Sequence, residues 1–157
     1  MDGFVIEVDD PGRDDVRALL EQHLAFARKV TPPEDVHALD PGGLLDPAIT
    51  LFSLRADGEL LGVGAIKQLD PHHAELKSMH TALAARRRGV GRAIVDHLLS
   101  VAAARGARRV SLETGAMEAF APARSLYAGA GFVPCGPFGD YEASANTAFM
   151  TRFLNDY

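Results

Sequence analysis

Residues 85–95, "ARRRGVGRAIV", set three arginines before a Gly-Val-Gly and then a run of helical spacing. Three readings compete. A dinucleotide-binding turn needs G-x-G-x-x-G directly after a strand, and the third glycine is absent here. A phosphate loop of the G-x-x-x-x-G-K-[ST] type is also missing. What remains is R-x-x-G-x-G, formed by Arg86, Gly89 and Gly91, at the start of a helix. Glycines there let the backbone turn tightly and leave the first helical N–H groups facing outward. Those donors and the positive helix end suit phosphate oxygens, and flanking arginines add charge-assisted contacts.

The bulk properties narrow the ligand. The 157 residues suit one domain, placed at 3–157. The chain has 16 Lys and Arg against 21 Asp and Glu, a net charge of −5. An acidic protein is a poor general nucleic-acid binder, so locally clustered arginines point to a small anionic ligand. No apolar run approaches a membrane span, and "MDGFVIEVDDPG" lacks the basic start of a signal peptide. Cys135 is the single cysteine, which fits a reducing compartment. The expectation is a cytoplasmic protein without nucleic-acid, membrane or metal partners.

Working outward, "FVIEV" (4–8) reads as a strand and Arg13 to about Lys29 as an amphipathic helix. "TPPEDVHALD" (31–40) suggests a second short helix. Residues 49–70 form a hairpin about Asp57-Gly58, with Gly62 and Gly64 marking a bulge or a close backbone approach. "AELKSMHT" (74–81) is a strand, followed by a helix from about Gly89 to Ala104. "RRVSLET" is a strand, Phe120–Ala128 a helix, and two strands close the chain. The order β, α, α, β, β, β, α, β, α, β, β predicts a mixed α/β (α+β) domain, with a sheet of about six or seven strands and about four helices.

The strand at 74–81 is unusually polar for one covered by helices. Strict alternation places Glu75, Lys77, Met79 and Thr81 on one face and Leu76, Ser78 and His80 on the other. Polar groups on both faces, running into a phosphate turn, suggest an active cleft.

Residues 74–98 resemble the acetyl-CoA-binding core of the GNAT superfamily of N-acetyltransferases. "SLETG" (111–115) is similar to its next strand. "FAPARSLYAGAGF" (120–132) resembles the N-x-x-A-x-x-L-Y-x-x-x-G-F signature at Ala123, Leu126, Tyr127, Gly131 and Phe132. "LETG" and "PFGDY" further resemble a bacterial GNAT subgroup. The resemblance implies a single-domain GNAT fold and acetyl-CoA as cosubstrate. It implies that the N–H groups of Arg87, Arg88, Gly89, Val90, Gly91 and Arg92, with Arg86, hold the pyrophosphate. The backbone of Met79, His80 and Thr81 would take the pantetheine arm like an added strand, aided by a bulge, with Ala123 and Tyr127 beside it. The Met79 N–H would stabilise charge developing on the acetyl carbonyl. Tyr127 stands where the family often has a general acid. Glu75 stands where histone-type members carry their base, and Glu113 is the rival base. Phe120 replaces the signature's Asn, and Arg87 stands where many members have Gly.

The activity implied is acetyl transfer from acetyl-CoA to a primary amine by direct attack. A small molecule such as an amino acid or related amine is the expected acceptor, provided that cations among His23, His37, Lys67, Lys77 and His80 converge on its carboxylate. Phe138, Asp140 and Tyr141 would border the acceptor pocket. A non-catalytic acyl-CoA sensor, a peptide or protein amine as acceptor, and an interaction module that binds no CoA stay open as alternatives. Exposed edge strands leave room for a homodimer.

Overall fold

A computed structural model describes residues 3–36 and 43–154. Its strands are β1 (Phe4–Val8), β2 (Ile49–Ala56), β3 (Glu59–Asp70), β4 (His73–Thr81), β5 (Arg109–Gly115), β6 (Val133–Cys135) and β7 (Thr147–Phe153). The α-helices are α1 (Asp14–Val30), α2 (Val90–Ala104) and α3 (Ala121–Gly129). The seven strands form one sheet in the order β1-β2-β3-β4-β5-β7-β6. Only the β4–β5 pair is parallel among the described strands.

Local chemistry explains the elements. In α1, Val16, Leu19, Leu20, Leu24 and Ala27 are buried on one stripe. Asp14 and Asp15 sit in its first turn and Arg28 and Lys29 in its last, each matched to the helix dipole. Asp57 and Gly58 both take positive φ (52° and 81°), the geometry of a tight two-residue hairpin. α1 packs on one face against Leu51, Val63 and Ala65. On the opposite face α2 covers Leu54, Ile66 and Leu76, and Tyr127 of α3 joins the same cluster.

Gly62 and Gly64 in β3 answer the question that the sequence posed there. A Cβ on Gly64 would lie 2.6 Å from Ile94 and one on Gly62 2.8 Å from Val90. The glycines let α2 sit directly on the strand backbone.

Two expectations need correction. The short helix at 31–40 is a single 3-10 turn at Pro33–Asp35, and residues 37–40 lie outside the described residues. The described residues therefore hold three α-helices, joined by short 3-10 turns.

The second correction is the alternation of β4. Val63 pairs with His80 and Ala65 with Lys77, so Gly64 alone faces two residues, Ser78 and Met79. This is a β-bulge, and Ser78 takes φ +55° within it. Glu75 and Lys77 remain on the α1 face, opposite Lys67 and Ala65. Met79 instead reaches Gly64 on the α2 face, and Thr81 approaches Gly91 of α2. His80 swings to the α1 face and meets His23, ring centroids 5.0 Å apart. One inserted residue reverses the strand's phase.

Candidate active site

The bulge coincides with a split in the sheet. β4 and β5 pair only from His73–Arg109 to Leu76–Leu112. Beyond that point β4 follows β3 up to Gly62, while β5 follows β7 up to Thr147. The backbone of Lys77–Thr81 on the β5 side is left without a strand partner. The gap widens into a cleft of about 630 Å³ that runs from Glu75 and Glu113 to the start of α2.

The α2 end of the cleft is built for an anion. Gly89 caps the helix in the left-handed region (φ +79°), and no side chain caps its N–H groups. Arg87 is also left-handed (φ +64°), a conformation that favours glycine. Arg86, Arg87, Gly89, Val90, Gly91 and Arg92 all border the cleft, whereas Arg88 is exposed and does not. The Arg92 guanidinium is engaged elsewhere, by Asp96 at 3.0 Å and the Gly129 carbonyl at 3.1 Å. Arg92 can therefore offer an anion its N–H rather than its side chain.

The wall of the cleft comes from β4, α1 and α3. Met79, His80 and Thr81 border it from the bulged strand, with Ala123 and Tyr127 opposite. Burial pushes both His23 and His80 down to about 4, so this pair is neutral at physiological pH. Phe120, in place of the signature Asn, lies against the Gly115 backbone and edge-on to Phe26 of α1 (5.4 Å). Sequence reasoning did not find Phe26. It carries no motif and reaches the cleft only through the placement of α1.

At the inner end, three polar side chains lock together. Lys77 Nζ lies 3.2 Å from Glu75 Oε2 and donates to the Tyr141 hydroxyl at 2.8 Å. Tyr141 donates in turn to Glu75 Oε2 at 2.5 Å. Glu75 is 3% exposed, so this carboxylate is held by partners rather than by water. Burial, then the charge of Glu75, push the Tyr141 phenol far up and keep it protonated. Glu113 faces the same space from β5. Burial raises its carboxyl to about 7, with Glu75 and Asp35 adding to the shift and Lys77 opposing it. Tyr127 is buried, and burial with the Glu113 charge raises its phenol, which stays protonated.

A second hollow of about 510 Å³ adjoins the first across Glu75, Lys77 and Tyr141. Glu34, Asp35, Asp140 and Glu142 border it, with Lys67 as its other cation beside Lys77. Asp35 accepts from Ser144 Oγ at 2.8 Å and Asn146 Nδ2 at 3.1 Å, which ties the 139–146 loop to the 3-10 turn at Pro33–Asp35. Phe138 is buried and meets Tyr141 and Phe149 edge to face and His73 at a tilt, anchoring that loop. The expected cations come together only in part: Lys67 and Lys77 both border the second hollow. His23 and His80 are neutral and stand in the first cleft, Lys77 is paired with Glu75, and His37 lies outside the described residues.

A split sheet with one parallel pair at the split, a bulge beside it, and an uncapped, arginine-flanked helix start define an acyl-CoA-dependent acyltransferase fold. The chain belongs to the acetyltransferase (GNAT) family, whose pattern it matches over residues 15–132, and acetyl-CoA is its acyl donor. It is 43% identical over 149 residues to the uncharacterized N-acetyltransferase YsnE of Bacillus subtilis (strain 168), covering 95% of this chain and 99% of that one. It is 41% identical over 151 residues to the uncharacterized N-acetyltransferase YedL of Escherichia coli (strain K12), covering 96% and 95%. A GNAT family acetyltransferase from Elizabethkingia anophelis, solved with acetyl-CoA bound, shares the fold at TM-score 0.72 and 17% identity, over 98% of this chain and 100% of that one.

No helix among the described residues is long and apolar enough to cross a membrane. The same residues contain no cluster of three metal-ligating side chains.

Proposed function

We propose that this protein transfers the acetyl group of acetyl-CoA to a primary amine of a small molecule by direct attack, within the split between β4 and β5. The observation that carries the proposal is Glu113. It is a carboxyl held at about 7 beside the unpaired edge of β4, where an amine must lose a proton.

Acetyl-CoA, when bound, supplies an activated thioester. In this reading the N–H groups from Arg87 to Arg92, with the Arg86 side chain, hold the pyrophosphate. Met79 and Thr81 offer backbone groups to the pantetheine arm, and His80 and Ala123 line its path. The Met79 N–H supports charge on the acetyl carbonyl. Glu113 takes the proton from the amine. Tyr127, protonated throughout the neutral range, donates toward the departing sulfur. Glu75 also remains a candidate base. However, it already accepts from Tyr141 and balances Lys77, so its geometry fits the orientation of Tyr141 better than free proton uptake.

The acceptor enters through the second hollow. Acidic groups outnumber cations there, and Lys77 is already neutralised, so an amine without a carboxylate fits better than an amino acid. The test is thiol release from acetyl-CoA with a panel of diamines, monoamines, amino acids and short peptides. Turnover with diamines or monoamines supports the reading. Turnover confined to peptides refutes the small-molecule acceptor. Acetyl-CoA binding with no turnover on any amine refutes the enzyme and leaves a sensor.

A further inference from the structure

The extra residue of the β4 bulge has two properties that are costly together. Ser78 adopts φ +55°, a left-handed conformation that is uncommon in residues other than glycine. Its side chain is also buried, at 8% exposure, and its Oγ has neither a hydrogen-bond partner nor contact with solvent. A buried hydroxyl without a partner is disfavoured by folding, and such groups are rare in native proteins. Glycine would relieve both costs at once.

The position of Ser78 indicates what offsets them. Lys77 belongs to the α1 face and Met79 to the α2 face, so Ser78 is the residue inserted between the two phases. It borders the cleft two residues beyond the last β4–β5 pair, at Leu76–Leu112. Ser78 thus lies midway between Glu75 and Thr81, the last residue of β4.

We infer that the Ser78 hydroxyl, on turning about its Cα–Cβ bond toward the cleft, is a binding group of the acyl-CoA site, donating a hydrogen bond to a carbonyl oxygen of the acyl-pantetheine arm. The arm carries such oxygens in its thioester and in its amides, and a hydroxyl is a competent donor to either. The inference rests on the placement of the arm in the β4–β5 split, and it holds for any acceptor. The bulge would then do two things. Its backbone turns N–H groups toward the gap, and its side chain supplies a further donor that the unliganded fold leaves unmatched.

The experiment compares wild type with Ser78→Ala, Ser78→Gly and Arg86→Ala. Calorimetry measures affinity for acetyl-CoA and for CoA, and thermal unfolding is followed without ligand. Ser78→Ala and Ser78→Gly are expected to bind acetyl-CoA about 3- to 10-fold more weakly, the scale of one hydrogen bond. Their unliganded melting temperatures should be no lower than that of wild type, because an unsatisfied group or a strained one has been removed. Weakening toward both ligands assigns the acceptor oxygen to an amide, and weakening toward acetyl-CoA alone assigns it to the thioester. The inference is overturned if Ser78→Ala binds acetyl-CoA within 2-fold of wild type while Arg86→Ala does not. It is also overturned if Ser78→Ala loses several degrees without ligand, since the hydroxyl then has a structural partner. If Arg86→Ala and both Ser78 variants all bind like wild type, the cleft is not the acyl-CoA site, and the proposed placement fails with this inference.

Discussion

Replacing Lys77 with Met tests the locked polar group at the inner end of the cleft. Glu75 and Lys77 have side chains only 3% and 10% exposed, and the ammonium is one of two partners of the carboxylate. Met keeps much of the Lys volume and removes the charge. Breaking one side of a buried pair typically costs about 3–5 kcal/mol, because the remaining charge stays buried. For a chain of this length each kcal/mol is worth roughly 2–4 °C, so the melting temperature should fall by about 6–20 °C. Adding Glu75→Gln neutralises the remaining partner and should recover most of the loss, giving a large coupling energy in the double-mutant cycle. Chemical denaturation of the four proteins measures it. A loss under about 1 kcal/mol for Lys77→Met, or strict additivity in the double variant, would refute the coupling. The same substitution removes the charge that opposes the raised carboxyl of Glu113. The pH at which turnover rises should therefore move above its wild-type value.

Glu113 makes folding itself pH-dependent. Between about 4.5 and about 7 the folded chain keeps a proton that the unfolded chain releases, so this residue lowers stability as pH rises through that window. Glu113→Gln should match wild type near pH 4, melt higher at pH 8, and lose turnover by roughly 10²–10⁴-fold if the residue is the base; undiminished turnover would remove it from that role. The His23–His80 pair works in the other direction. Both titrate at about 4 when folded, so stability falls as pH drops from 6.5 toward 4, and replacing both with Asn should flatten that acid limb in thermal melts. At the cleft rim, a Cβ on Gly115 would collide with the Phe120 ring. Gly115→Ala should cost about 1–3 kcal/mol. Adding Phe120→Ala should restore part of that, while parallel losses in both variants would show that the ring is not the obstacle.

The fold was legible wherever local rules governed it. The helical stripe of Val16 to Ala27, the Asp57-Gly58 turn and the glycine start of α2 each announce themselves within a few residues. The phosphate end of the cleft was legible for the same reason, since one continuous stretch encodes it. The inner end was not. Ser78 looks like one more member of an alternating strand, and nothing in "LKSMHT" marks it as inserted, so Met79 and Thr81 were placed on the wrong face. Tyr141 stood out in its motif, but its partnership with Glu75 spans 66 positions and depends on the sheet bringing β4 beside the 139–146 loop. The choice between Glu75 and Glu113 turns on burial and neighbouring charges, which no spacing rule supplies. The histidines were read as cations because their burial was invisible.

The bulge makes this part of the site a matter of chain length before it is a matter of side chains. Deleting Ser78 would let β4 close its register with β3, with Met79 opposite Gly64 and Thr81 opposite Gly62 as they are now, and the bulge gone. His80 would stay opposite Val63 beside His23, while the edge facing β5 would become an ordinary strand edge. No exchange of one amino acid for another at these positions does the same. A lineage could thus lose or acquire this half of the cleft through a single codon gained or lost, while every residue around it stayed as it was.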